Sequence, residues 1–105
     1  MEPTVVIADY SDKKHGSQII QLMNAYANDP MGGGKPLPLF VQENLVNELA
    51  KRPTAFSLIC YVGTEPAGLI NCFEGFSSFS CQPLINIHDV IVLSEFRGLG
   101  FLCIS

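Results

Sequence analysis

The stretch HDVIVLSEFRGLG, residues 88–100, gathers the residue types that could do chemistry. It reads as an apolar strand running into a turn that holds Arg97, Gly98 and Gly100. Glycines let backbone N–H groups approach an anion closely, and an arginine adds positive charge. A helix opening at that turn would add the positive end of its dipole. The expected ligand is a pyrophosphate. His88 opens this stretch, and imidazole is the side chain suited to proton uptake near neutral pH, so it is the candidate general base. Asn86 shares its pleat face and is placed to orient a water or an acceptor. Asp89 falls on the other face, where tying down a loop or capping a helix is its expected work. The plainer alternative for His88 is a hydrogen-bonded core histidine.

Other features invite chemistry and carry less. Gly32-Gly33-Gly34-Lys35 suggests a nucleotide loop, but G-x-x-x-x-G-K-[ST] needs Gly at 29 and Ser or Thr at 36. The sequence has Asp29 and Pro36, so Met31–Pro38 reads as a flexible connection. Phe76 and Phe79 suit a core or an interface better than a base-stacking platform, since no basic groove surrounds them. His15 reads as a solvated helix residue, and Glu74 faces either an acceptor or water. The four cysteines Cys60, Cys72, Cys81 and Cys103 include no C-x-x-C pair, which argues against a metal site. With Val62 and Ala67 flanking a turn, Cys60 would face Leu69. Cys72 would then point to the opposite sheet face, so free thiols are expected.

These residues need elements to hold them. Thr4–Tyr10 is a β-branched strand, and Ser11 or Asp12 can cap a following helix. Ile19, Leu22, Met23 and Tyr26 form an amphipathic helical stripe, ended by Asn28-Asp29-Pro30. Val41, Leu45, Val46 and Leu49 mark a second helix, with Lys51 and Arg52 at its negative end and Pro53 beyond. Ala55–Val62 and Ala67–Phe76 form a hairpin around Gly63–Pro66. Leu84–Leu93 is a fourth strand, apolar on both pleat faces as a strand covered on both sides should be. The order β-α-α-β-β-β implies one α/β (α+β) domain with a mostly antiparallel sheet. Two helices can cover one face of it, and no element remains for the other.

Composition narrows the function classes. Six Lys+Arg against ten Asp+Glu leave a net charge of −4 across 105 residues. That balance excludes a general nucleic-acid binder, which needs a basic surface. Apolar residues make up 48% and charged residues 15%, against about 25% charged in ordinary domains. Disorder is excluded, and a chain this apolar either buries nearly everything or exposes apolar surface that something else should cover. No run reaches the roughly 18 apolar residues of a membrane span, and the acidic start lacks a secretory pattern. A cytoplasmic location follows as the expectation.

The element order and the turn together resemble the GNAT superfamily of acyl-CoA-dependent N-acetyltransferases. That family carries a strand followed by a Gln/Arg-x-x-Gly-x-Gly/Ala turn that opens a helix. Arg97 takes the first position and Gly100 the first glycine, while Leu102 departs from the final Gly/Ala. Val92-Leu93-Ser94-Glu95-Phe96-Arg97-Gly98 looks like the family's V-x-P-E-Y-R-G run, with Ser94 for Pro and Phe96 for Tyr. The resemblance covers nearly the whole sequence but only the first two-thirds or so of the family's domain. It implies a single, incomplete domain over residues 1–105, weakly active alone.

It also implies acetyl-CoA as co-substrate, without a metal. Its pantetheine would pair with Val90, Ile91 and Val92, and its pyrophosphate would rest on the amides of Arg97, Gly98, Leu99, Gly100, Phe101 and Leu102. A backbone N–H near Val90–Val92 would polarise the thioester carbonyl. His88 stands where some members place a catalytic Glu or His to take the proton of the amine. The implied acceptor is a small-molecule or peptide amine, with entry shaped by Met31–Leu37. The alternative is a non-catalytic module, in which the open edge of the fourth strand pairs with a partner's strand or builds a homodimer.

Overall fold

The computed structural model describes residues 3–93. Strand β1 (Pro3–Ile7) leads into helix α1 (Lys13–Asn28), then α2 (Leu39–Ala50), β2 (Ala55–Val62), β3 (Glu65–Ser77) and β4 (Gln82–Val92). The strands lie in the order β1-β2-β3-β4, and every neighbouring pair is antiparallel. This is the element order expected from the sequence, with β2 between the expected bounds.

Local chemistry accounts for the helix starts and ends. Asp12 caps α1, its carboxylate accepting from the amides of Lys14 (2.8 Å) and His15 (3.3 Å). At the end of α2 the Arg52 guanidinium donates to the Glu48 carbonyl at 2.7 Å. The exposed Glu48 carboxylate also pairs with Lys51 and Arg52, which holds it below the usual carboxylate range.

One face of the sheet carries the core. Val6, Ile59, Leu69 and Ile91 are successive cross-strand partners. Ile19 and Leu22 of α1 close over this row, and Ile19, Leu22, Ile59 and Leu69 are wholly buried. Val46 of α2 packs against the same cluster, so both helices lie on one face. Among the described residues no helix packs against the other face.

Three expectations need correction. The β2–β3 register pairs Cys60 with Gly68 rather than Leu69, because the turn is the two residues Gly63-Thr64 and a one-residue shift falls between Cys60 and Tyr61. A register change of one residue swaps faces, so Cys60 and Cys72 share a face rather than opposing each other. They are still free thiols, because Cys72 pairs with Phe56, four residues along β2 from Cys60. Four residues of strand span about 13 Å, far beyond disulfide reach. Strand β4 is also not covered on both faces: Ile85, Ile87 and Val90 are 62%, 52% and 43% exposed, and only Ile91 is buried. Finally Phe76 and Phe79 are exposed rather than core.

Replacing Ile59 by alanine would open a cavity beneath α1. Urea unfolding of Ile59→Ala is expected to show a loss of about 3 kcal/mol without a change of fold.

Candidate active site

A one-residue offset in β4 shapes the candidate site. Asn71 of β3 faces Asp89, whereas Cys72 faces Ile87, so His88 has no Cα partner on β3. A residue inserted this way bends the strand and re-aims the side chains beside it. The His88 ring meets the edge of Phe73, with centroids 4.7 Å apart and planes at 74°. Phe73 follows Asn71 by two residues and so shares its face, the side on which α1 packs. Asn86 is the cross-strand partner of Phe73, and its side-chain amide lies over Gly75, where a Cβ would come within 2.9 Å of Nδ2. His88 and Asn86 therefore do share a face, and both are exposed.

Asp89 does not point to the opposite face. Its carboxylate accepts from the Asn71 amide at 3.1 Å, on the helix side. The offset puts His88 and Asp89 on the same side, which strict alternation forbids. Glu74, opposite Ile85, falls on the other face, away from His88.

Behind Asp89 runs a polar row that the sequence reading missed. Ser57 is wholly buried and Asn71 nearly so. The Ser57 hydroxyl donates to Asn71 Oδ1 at 2.7 Å, and the Tyr10 hydroxyl lies 2.8 Å from Ser57 Oγ. Since Ser57 has one hydrogen and gives it to Asn71, Tyr10 donates to Ser57. The Asn71 amide also lies 3.5 Å from the Met23 sulfur. The available signal was a single polar residue inside each apolar strand, Ser57 in AFSLICYV and Asn71 in AGLINCF. Burial raises the Tyr10 phenol, partly opposed by its bond to Ser57, and burial likewise raises the Cys60 and Cys72 thiols.

The connection between the helices is tied down rather than loose. Pro30–Gly32 is a 3₁₀ turn. The amides of Gly32 and Gly34 donate to the Asp29 carbonyl, that of Lys35 to Ala27, and that of Leu37 to Asn24 Oδ1 at 2.9 Å. Gln42 Nε2 reaches back to the Leu37 carbonyl at 2.8 Å. Gly32 is required there, because a Cβ would sit 2.0 Å from the Tyr26 carbonyl oxygen. His15 is held too, its Nδ1 accepting from the Asp9 amide at 2.9 Å. The Asp9 carboxylate is lowered by its bonds from the Ser11 hydroxyl and amide.

Val90, Ile91 and Val92 lie at the C-terminal end of β4, the strand that ends the described sheet. Ile91 turns its side chain into the core, and Val90 is exposed. Arg97, Gly98, Leu99, Gly100, Phe101 and Leu102 lie outside the described residues, as does Cys103. Among the described residues no helix is long and apolar enough to cross a membrane.

No protein-family model and no curated relative matches the sequence. Solved structures do match. A possible acetyltransferase from Clostridium difficile 630 superposes with a TM-score of 0.76 at 18% identity, over 99% of this chain and 66% of its own. A GNAT family acetyltransferase from Staphylococcus aureus gives 0.72 at 17%, over 96% and 70%. An aminoglycoside acetyltransferase from an uncultured soil metagenomic sample, solved in complex with sisomicin, gives 0.72 at 16%, over 93% and 60%. The chain has the fold of the GNAT acetyltransferases, with the elements of that fold's N-terminal portion. It spans 60% to 70% of the length of these three neighbours.

Two outcomes follow from the geometry. In the native protein a thiol reagent followed by peptide mapping is expected to label exposed Cys81 and to spare Cys60 and Cys72 until the chain unfolds. The raised groups Cys60, Cys72 and Tyr10 stabilise the fold while they stay neutral, and that contribution is lost as pH rises through their folded values. The melting temperature is therefore expected to fall from about pH 8.5 upward, and Cys60→Ala/Cys72→Ala to flatten the early part of the fall.

Proposed function

We propose that this chain carries the acetyl-CoA-binding strand and the acceptor-facing half of an N-acetyltransferase acting on a primary amine. The observation that carries the reading is edge strand β4 itself, on which His88 and Asn86 share one exposed face just before Val90–Val92. An edge strand offers its backbone to an extended ligand, and exposed Val90 leaves room beside it. Acetyl-CoA would supply the acetyl group as an activated thioester.

The chain's residues then have distinct work. The β4 edge at Val90, Ile91 and Val92 pairs with the pantetheine arm, while the amides of residues 97–102 and the Arg97 charge hold the pyrophosphate. Attack of the amine on the thioester carbon needs a neutral amine, so His88 would accept the proton of the acceptor ammonium while Asn86 orients the amine or a bridging water; the C–N bond forms as the C–S bond breaks, and CoA leaves as its thiol with the amine's second proton. The fixed 29–38 connection, with exposed Leu39 and Phe40 beside it, forms the other wall of the acceptor approach. The aminoglycoside acetyltransferase neighbour solved with sisomicin supports a small-molecule amine as the acceptor class.

Exposed Ile85, Ile87 and Val90 favour one second reading, in which β4 pairs with another chain, by dimerisation or with a partner's strand. Thermal melts of the purified chain with and without acetyl-CoA separate the two. The acetyltransferase reading expects a rise in melting temperature, equivalent to about 2.7 kcal/mol at a hundredfold excess over Kd. That rise should vanish when Gly98 and Gly100 are replaced by bulky residues. A discrete dimer in light scattering with no acetyl-CoA shift would favour the module instead. In a chain that turns over, His88→Ala is expected to lower transfer by roughly 10²-fold or more and to flatten its pH dependence.

A further inference from the structure

We propose that Asn71 is a positioning residue: by binding Asp89 it sets the one-residue offset in β4, which turns Asp89 to the helix-side face beside His88 and puts Ile91 rather than Val90 into the core. The register follows from geometry alone, and only the use made of Val90–Val92 rests on the acetyltransferase reading.

Strand register is usually chosen by the apolar pattern. Here the pattern leaves the choice open, because Val90, Ile91, Val92 and Leu93 are all apolar. If the pairing on the Cys72 side of the offset ran on unchanged, Asn71 would face His88 and Val90 would enter the core in place of Ile91. If the Asp89–Asn71 pairing ran the other way, His88 would face Cys72 and turn to the opposite face, away from Phe73. Both alternatives keep apolar side chains beneath α1. The observed arrangement, with Asn71 on Asp89 and Cys72 on Ile87, satisfies neither continuous register.

A polar requirement separates the alternatives. Asn71 is almost fully buried, and its oxygen is already committed to the Ser57 hydroxyl. Ser57 is fixed in turn by Tyr10, so the amide cannot turn over without breaking the row. Its NH₂ group must therefore find an acceptor toward β4, and Asp89 Oδ2 at 3.1 Å is the strong one. The Met23 sulfur at 3.5 Å is a weak substitute. A register that removed Asp89 from this position would leave a buried amide unpaired, which disfavours it by a factor of about ten or more. On the other side of the offset, Phe73 pairs with Asn86 and Cys72 with Ile87, and the exposed Asn86 side chain lies over Gly75. The two pairings differ by one residue along β4, and His88 is the residue left between them.

The test reads the register directly. In the full chain, NMR should show contact between the Phe73 and His88 rings and a cross-strand Asn71–Asp89 pairing. Cross-strand contacts should also pair Leu69 with Ile91. Asn71→Leu, which keeps the size and loses the amide, is expected to raise at least tenfold the slipped register in which Leu69 pairs with Val90. Asp89→Asn keeps an acceptor oxygen and should retain the Leu69–Ile91 pairing. Should Asn71→Leu fail to fold, Asp89→Ala at a half-buried position gives the same readout. Full retention of the Leu69–Ile91 pairing in Asn71→Leu or in Asp89→Ala, or its absence in the wild-type chain, would overturn the proposal. The acetyl-CoA melt is a separate readout: loss of that shift removes the acetyltransferase reading and leaves the register result standing.

Discussion

The packing of Ile19 and Leu22 against the Ile59–Leu69–Ile91 row holds the rest of the molecule in place. These five side chains are almost completely removed from water, and they come from α1 and from three strands. Burying an aliphatic side chain of this size is worth about 1.5 to 3 kcal/mol, so this layer is a large share of what holds a small domain together. It fixes the height and angle of α1 over the sheet. That in turn places Met23 against Asn71 and starts the 29–38 connection at a defined point beyond Asn28.

Beside this apolar row lies the polar one, two residues further along each central strand. Tyr10, Ser57, Asn71 and Asp89 cross the sheet from the loop after β1 to its β4 edge. The two rows make different demands. Apolar packing tolerates a shift of one residue in β4, because Val90 and Ile91 are nearly interchangeable as core fillers. A hydrogen-bonded row does not tolerate it, since each donor needs one particular acceptor. Putting the polar row next to the exposed half of β4 ties that strand down where its apolar contacts run out.

Apolar exposure in this fold falls on β4 and the β3–β4 hairpin, and elsewhere on Ile7, Leu39 and Phe40. Ile85, Ile87, Phe76 and Phe79 project into solvent, while the same strand is anchored at Ile91. An edge strand with one firm end and one open end suits the reception of an extended ligand or another strand. The acyl-CoA reading and the partner-strand reading both draw on that feature. What distinguishes them is whether an anion site follows β4.

Much of this was legible in the sequence. Period-3.6 and period-2 patterns located both helices and all four strands, because apolar side chains must alternate in step with the backbone that buries them. Asp12 as a cap and Arg52 at a helix end follow from unsatisfied backbone groups that any helix leaves. The likeness to the acetyltransferase fold was readable from element order and the turn after β4. Tertiary structure decided the register. A turn of two residues rather than four, together with the one-residue shift between Cys60 and Tyr61, moved Cys60 from Leu69 to Gly68, and the offset in β4 brought Asp89 to the side that alternation denied it. Neither is a local property. Each depends on which side chains across the sheet need one another, and a chain that alternates perfectly by itself carries no record of where its partner skips a residue. The 29–38 connection teaches the same lesson: glycine and proline composition marks a loop, but its order comes from acceptors on Asn24, Ala27 and Asp29 that only the folded helix brings within reach.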